Sequence, residues 1–297
     1  MLKSELRAFH AVARFGGFSN AAKACNVSQP TLSTQVKALE RRYKVELFNR
    51  VGREVHLTGP GKELMEITSR LVQAETDAES LLNSYRGFHA GALNLAAVGP
   101  FHATDMIVAY KQNYPGIDVQ VKFGNSTHCF EQILSFDADV GIIAEVPVDE
   151  RVTTLLYSVH EVVAFVNSDH HFYERDSISI HELEGEKTIR REAGSTTRTA
   201  IERELDNREV KVDAVLELGS REAIWKAVEQ GLGLGFVADF EFVPHPNLRP
   251  IPITDADIQT NYYLAFLKER EQSRLINSFC DVALGRNGKK STWSPVA

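Results

Sequence analysis

Cysteine is scarce in this chain: three in 297 residues, Cys25, Cys129 and Cys280, odd in number and far apart. Such a set builds neither a disulfide framework nor a cysteine-based metal site. Cys129 reads as a small buried hydrophobe rather than a redox sensor. Long apolar runs are missing too. No stretch of about 18 apolar residues occurs, and the N-terminus has no signal-peptide core, so a soluble, cytoplasmic protein is expected. Catalytic signatures are also lacking: no Gly-x-Ser-x-Gly elbow, no P-loop, no His-Glu-x-x-His. The glycine-rich stretch Gly231-Leu-Gly-Leu-Gly235 precedes a strand instead of opening a helix, so it reads as a helix end and turn. Ten histidines show no defensible ligand spacing, and His170-His171 in a polar loop read as solvated. The expectation is a non-enzyme with no metal and no cofactor.

The informative part is the opening run. Residues 4–15 carry Leu6, Phe9, Val12 and Ala13 at helical spacing, and Gly16-Gly17 ends that helix. A second, short, Ala-rich helix follows, with Ser19 as its expected cap. Cys25-Asn26-Val27 makes a turn, with Val27 expected to plug the corner. Ser28 is placed to cap a third helix with Pro30 in its first turn, where a missing N–H costs nothing. Leu32, Val36 and Leu39 then face inward. Ser28, Gln29, Pro30, Thr31, Ser33, Thr34 and Lys37 are left for an outer face of small polar and basic groups. Such a face fits the DNA major groove, with Gln, Thr and Ser reading base edges and Lys neutralising phosphate. Two short apolar runs around Gly52 read as a hairpin, a wing whose Arg50 and Arg53 would touch the DNA backbone or minor groove. The whole is a winged helix-turn-helix.

Charge supports this independently. Residues 1–58 carry ten Lys/Arg and four Asp/Glu, net +6, within a chain of −7, so residues 59–297 carry −13. A basic head on an acidic body fits a nucleic-acid module joined to something else. Next, Leu64, Ile67, Leu71, Ala74, Ala78, Leu81 and Tyr85 follow 3-4 spacing along an expected helix at 59–86. That spacing is a coiled-coil seam, preferred as a dimerisation helix because a two-fold protein matches a two-fold operator.

From residue 92 the pattern alternates strands and helices, which predicts α/β with a largely parallel sheet and enough chain for two lobes. Strands are expected at 92–98, 117–123, 139–144, 161–166, 188–191, 214–218, 232–237 and 262–267. Ligands of such sheets sit beyond the strand C-termini. Four polar turns qualify there: Gly99-Pro-Phe-His102, Gly124-Asn-Ser-Thr127, Glu192-Ala-Gly-Ser-Thr-Thr-Arg198 and Gly219-Ser-Arg-Glu222. Serine or threonine at helix N-termini favours an anion. The candidate ligand residues are Phe101, His102, Asn125, Ser126, Thr127, Ser195, Thr196, Thr197, Arg198 and Ser220. Arg191 and Arg221 are further charges, and Glu145 a partner for an amine. A small anionic or zwitterionic effector follows.

The residues Phe9, Phe18-Ser19, Ala21-Ala22, Val27-Ser28-Gln29-Pro30, Leu32-Ser33, Lys37, Leu39-Glu40, Leu47-Phe48, Arg50 and Leu57-Thr58-Gly59 resemble those of the LysR-type transcriptional regulators. Cys25, where leucine is usual, and Pro60 depart mildly from the pattern. The resemblance covers essentially the whole chain. It implies a winged helix-turn-helix at 1–58, a dimerisation helix at 59–90, a two-lobed periplasmic-binding-protein-like effector domain at 91–285 and a tail at 286–297. It also implies dimers or tetramers on double-stranded operator DNA, with RNA polymerase a candidate further partner. Within the family, Asn125-Ser126, Ala144-Glu145, Arg191–Ser195 and Gly219–Glu222 look most like the branch associated with 2-aminoethylphosphonate catabolism. That likeness would put the phosphonate on Ser126, Thr127 and Ser195–Thr197, and the amine near Glu145. The competing expectation is a constitutive DNA-binding protein whose α/β body serves only assembly.

Overall fold

A computed structural model describes residues 2–51, 54–84 and 91–285. The chain divides into two compact units, residues 1–85 and 86–297.

In the first unit, α1 (Leu2–Arg14), α2 (Phe18–Ala24) and α3 (Gln29–Tyr43) pack around Phe9, Val12, Ala21, Leu32, Val36 and Leu39. Gly16 and Gly17 both take positive φ, 67° and 151°, which ends α1. Gly17 is also the N-cap of α2, which starts at Phe18 and has no side-chain cap, so Ser19 lies inside the helix instead of capping it. Val27 is 42% exposed and does not plug the corner. Its backbone closes the turn instead, the N–H donating to Ala22 O at 3.0 Å, with Asn26 left-handed before it. A pair at 2.9 Å between Arg42 and the nearly buried Glu5 ties α3 to α1.

The hairpin β1 (Phe48–Val51) and β2 (Glu54–Leu57) forms the wing. Thr58 then starts α4 (Gly59–Ser84): its Oγ1 accepts the Gly61 N–H at 3.0 Å and donates to Glu46 O at 2.7 Å. Glycine is needed at 61, since a Cβ there would stand 2.2 Å from Leu47 O. Leu64 and Met65 of α4 pack on the helix-turn-helix core, and Glu75 pairs with Lys3 (2.6 Å) and Arg7 of α1. These two cations hold the Glu75 carboxyl below its ordinary range.

The second unit is α/β with two lobes. Lobe one has parallel strands β3 (Gly91–Ala97), β4 (Ile117–Phe123) and β5 (Val140–Ala144), with α5 (Pro100–Asn113), α6 (Ser126–Leu134) and, late in the chain, α9 (Arg274–Ala283). Lobe two has the parallel pair β7 (Lys187–Arg191) and β8 (Asp213–Leu218), with α7 (Thr196–Asn207), α8 (Arg221–Glu229), β9 (Gly235–Ala238) and β10 (Leu248–Ile251). Two strands join them. The first part of β6 (Val152–Asn167) pairs antiparallel with β11 (Gln259–Leu267), which also lines β5; its second part pairs with β9 and β10.

The sheet is therefore mixed, not largely parallel. Strand β6 starts nine residues before the expected 161. Residues 152–160 are half exposed and lack the unbroken apolar run that marks 162–166. Strand β10 was not anticipated because it contains Pro250, tolerated here since β10 is a sheet edge. The turn at 231–235 behaves as expected: Gly231 is left-handed at φ 76°, and the N–H groups of Gly231 and Leu232 close the end of α8.

Separate apolar clusters fill each lobe, around Leu93, Tyr110, Ile142 and Phe279 in lobe one and around Val166, Ile180, Ile201 and Leu234 in lobe two. Cys129 is fully buried, and burial pushes its thiol up to about 12, so it is unreactive. One buried ion pair locks lobe one: Arg270 Nη1 donates to Asp139 Oδ1 at 2.5 Å, and Asp139 Oδ2 accepts the Asn94 N–H at 2.6 Å. Removing one member of such a pair leaves the other charge dry. Arg270→Ala is therefore expected to cost about 3–5 kcal/mol in denaturant unfolding, against little change for an exposed arginine such as Arg175.

Candidate functional site

Two surfaces offer chemistry. The first is the outer face of α3. Ser28 caps the helix, its Oγ accepting the Thr31 N–H at 3.3 Å and lying 2.7 Å from Thr31 Oγ1. Its hydroxyl is thus committed to the helix start. Gln29, Pro30, Thr31, Thr34 and Lys37 are exposed, while Ser33 is half-buried. They stand opposite Leu32, Val36 and Leu39, which anchor the helix in the core. Arg53 lies outside the described residues, as does the side chain of Arg50. On α4, Ile67, Ala74, Ala78 and Leu81 of the expected seam are exposed, Leu71 is half-buried, and Leu64 belongs to the head's core; Tyr85 lies outside the described residues.

The second surface is a cleft of about 730 Å³ between the lobes of the second unit. Its walls come from the β3–α5 turn (Val98, Gly99, Pro100, Phe101), the β4–α6 turn (Phe123, Gly124, Asn125), the end of β7 (Arg191, Glu192), and the β8–α8 turn (Gly219, Ser220, Arg221, Glu222). The outer face of α8 (Trp225, Lys226, Glu229), Glu241, and the segment Val243–His245 with Leu248 complete it. All four strand ends expected from the sequence contribute. Trp225, Lys226, Glu229 and Glu241 were not foreseen. The first three follow Glu222 at helical spacing, a signal available once α8 was placed. Glu241 carried no local signal.

Each cleft cation has an acidic partner. Arg191 forks onto Glu192 through two contacts of 2.8 Å, Arg221 pairs with Glu241 at 3.1 Å, and Lys226 with Glu229 at 2.6 Å. Glu222 is a fourth carboxylate, accepting the Ser220 hydroxyl at 2.6 Å; that bond holds its carboxyl below the ordinary range. Contacts between the lobes include Arg221 Nη1 donating to Val98 O at 2.7 Å and Asn125 Nδ2 to Ala193 O at 3.2 Å.

Of the expected ligand residues, Phe101, Asn125 and Ser220 line the cleft and eight do not. Ser126 is buried and spends its hydroxyl on Ala144 O at 2.6 Å. Ser195 is buried, accepting the Arg198 N–H, and Thr197 is buried beside it. Arg198 turns onto Glu202 and Glu217, both at 3.0 Å. Thr127 and Thr196 lie off the cleft wall, and so does Glu145, whose N–H is bound to Asn261 O at 2.9 Å. The serine-threonine cradle at 126–127 and 195–197 is thus mostly helix-cap and packing chemistry.

Residues 86–287 match the LysR substrate-binding domain family, and residues 4–62 match the LysR-family bacterial regulatory helix-turn-helix. The chain belongs to the LysR family of transcriptional regulators. It is 26% identical over 282 residues to the transcriptional activator CmpR of Synechocystis, with 93% of each chain covered. Its fold is that of full-length OxyR from Pseudomonas aeruginosa, with a TM-score of 0.77, 22% identity, and 95% and 94% of the two chains covered. The CcmR regulatory domain of Synechocystis, solved in complex with 2-PG, is 26% identical with a TM-score of 0.61, covering 66% of this chain and 97% of that one. This chain is a ligand-responsive LysR-type regulator of transcription. No helix among the described residues is long and apolar enough to cross a membrane.

Among the described residues, two histidine clusters lie outside the regulator's cleft lining. His170, His171 and Glu186 bring their ligand atoms within 4.8 Å of one another. His170 is only 15% exposed in its side chain, so it is not solvated as the sequence suggested. Its Nδ1 accepts the Phe172 N–H at 3.2 Å, which leaves the proton on Nε2, 3.3 Å from Glu186 Oε2, while His171 Nε2 lies 3.3 Å from Glu186 Oε1. His102, expected in the ligand set, instead stacks on Phe240 at 4.0 Å and sets its Nε2 3.0 Å from Nε2 of His160, whose Nδ1 faces Asp239. Burial first, and His160 second, lower His102 to about 4. The folded protein therefore prefers it neutral, and stability is lost as pH falls from 6.5 toward 4. His102→Phe keeps the ring stack and is expected to flatten that part of the stability-versus-pH curve, read as denaturation midpoints across this window. On DNA, Lys37→Ala is expected to weaken binding and lower the salt slope by about one unit if the ammonium meets a phosphate.

Proposed function

We propose that this regulator grips operator half-sites as a dimer or tetramer, and that its cleft senses a small zwitterion with one acidic group. The specific candidate is 2-aminoethylphosphonate or a related phosphonate. The observation that carries the ligand class is the charge arrangement of the cleft. Arg191, Arg221 and Lys226 face Glu192, Glu222, Glu229 and Glu241, so no cation there lacks an acidic neighbour. A purely anionic ligand would compete with resident carboxylates. A zwitterion offers an acidic group to an arginine and an amine to the carboxylate so released. Trp225 and Phe101 in the wall suit an ammonium, since aromatic faces attract cations. First-turn N–H groups of α5 and α8 add to an anion site, apart from that of Ala223, which the Ser220 hydroxyl oxygen accepts at 3.3 Å, and Pro100, which has none. A two-carbon phosphonate fills only part of 730 Å³, so this ligand requires the lobes to draw together around it.

A second reading is an anionic metabolite without an amine. The likeness to the CcmR regulatory domain, solved with 2-PG, favours it.

Gln29, Thr31, Ser33, Thr34 and Lys37 would read the operator, with Arg50 and Arg53 on the wing. The seam Ile67–Leu71–Ala74–Ala78–Leu81 would pair two subunits. Ligand in the cleft changes the lobes, and coupling to DNA is then reciprocal: each ligand alters affinity for the other. RNA polymerase is the expected downstream partner. The constitutive alternative predicts footprints that ignore every ligand.

Thermal unfolding of the purified protein tests the reading against 2-aminoethylphosphonate, phosphonoacetate, phosphate, sulfate, amino acids and aromatic acids. A ligand at about a hundred times its dissociation constant adds ~2.7 kcal/mol of stability. Stabilisation by aminoethylphosphonate above phosphonoacetate is expected; a response to anions alone would discard the zwitterion.

A further inference from the structure

We infer that Glu241 is a built-in occupant of the cleft's anion subsite, and that the acidic group of the effector binds by taking Arg221 over from it. The inference rests on the proposal that the effector occupies this cleft.

Arg221 opens α8 on lobe two. Its Nε and Nη2 meet the two oxygens of Glu241, each at 3.1 Å, while Nη1 donates to Val98 O on lobe one. A two-point fork of this kind is how a guanidinium takes up a carboxylate or a phosphonate. The Glu241 side chain is 1% exposed, although it lines the cleft, and its Oε1 also accepts the Tyr262 hydroxyl at 3.4 Å.

Gly99 makes the seat for that carboxylate. A Cβ there would stand 2.8 Å from Glu241 Oε1 but 3.7 Å from the Arg221 guanidinium carbon. The Gly99 backbone is extended, at φ −162°, so other residues can adopt it. The missing side chain is therefore about room for Glu241.

Glu241 holds the fork open in the shape an acidic ligand needs. Once a ligand takes the fork, Glu241 is left unpaired in a dry pocket, a costly state for a carboxylate. A ligand carrying an amine compensates that charge, and a bare anion does not. The cleft thus rejects simple anions by keeping a competitor in place, which is discrimination by repulsion as well as attraction.

Thermal unfolding of the full-length protein in increasing sulfate and inorganic phosphate tests this without knowledge of the effector. Glu241→Gln leaves the fork open, so both anions are expected to bind roughly tenfold more tightly than to the wild type. Combining it with Arg221→Gln is expected to abolish the gain. Glu241→Ala removes the competitor together with its charge, is expected to produce the same gain, and serves if Glu241→Gln fails to fold. Equal affinity in wild type and both variants, or a gain that survives loss of Arg221, overturns the inference. A wild type indifferent to aminoethylphosphonate, with the sulfate gain intact, discards that effector and keeps the subsite; a response to aminoethylphosphonate without the gain does the reverse.

Discussion

The antiparallel pairing of β6 with β11 is the constraint on which the second unit depends. Strand β6 serves two sheets in succession: it pairs with β11 up to Glu161 and with β9 and β10 from Val162 onward. One unbroken strand thus belongs to both lobes, and each lobe's core packs on its own half. Everything that forms the cleft hangs from this crossing. The strand ends of lobe one and the α8 turn of lobe two face each other because the crossing brings them together. Only a few contacts span the cleft itself, Arg221 to Val98 and Asn125 to Ala193 among them.

The reading head was legible from sequence because its signals are local. A cap, a proline in the first turn and inward residues at helical spacing all lie within α3, and the core there is Leu32, Val36 and Leu39 as the spacing requires. Errors in the head concern single side chains. Ser19 fell inside α2 because Gly17, with φ 151°, could end one helix and start the next. Val27 contributes its N–H and not its side chain.

The cleft was legible only as a set of strand ends. The turns at 99–102, 124–127 and 219–222 were found because a β-to-α junction carries glycine and a small polar cap. The same chemistry misled at 195–198. Capping serine and threonine look alike whether they face a ligand or only their own helix, and Ser126 and Ser195 turned out buried and spent. Glu241 was invisible for a different reason. It reaches the cleft through a long-range pairing with Arg221, twenty residues away, and no local pattern encodes that. The mixed sheet escaped for the same reason, since strand direction is decided by partners that are distant in sequence.

The junction between the wing and α4 has a consequence for how movement passes along the helix. With Gly61 pressed against Leu47 O and Thr58 bonded on both sides, α4 leaves the head without any slack. Glu75 adds a clamp to α1 four turns further on. Helix and head therefore behave as a lever with a welded end. Its 26 residues span roughly 39 Å at 1.5 Å per residue. A tilt of about 1° at one end moves the other by roughly 0.7 Å, so modest angular changes become displacements on the scale of hydrogen-bond geometry.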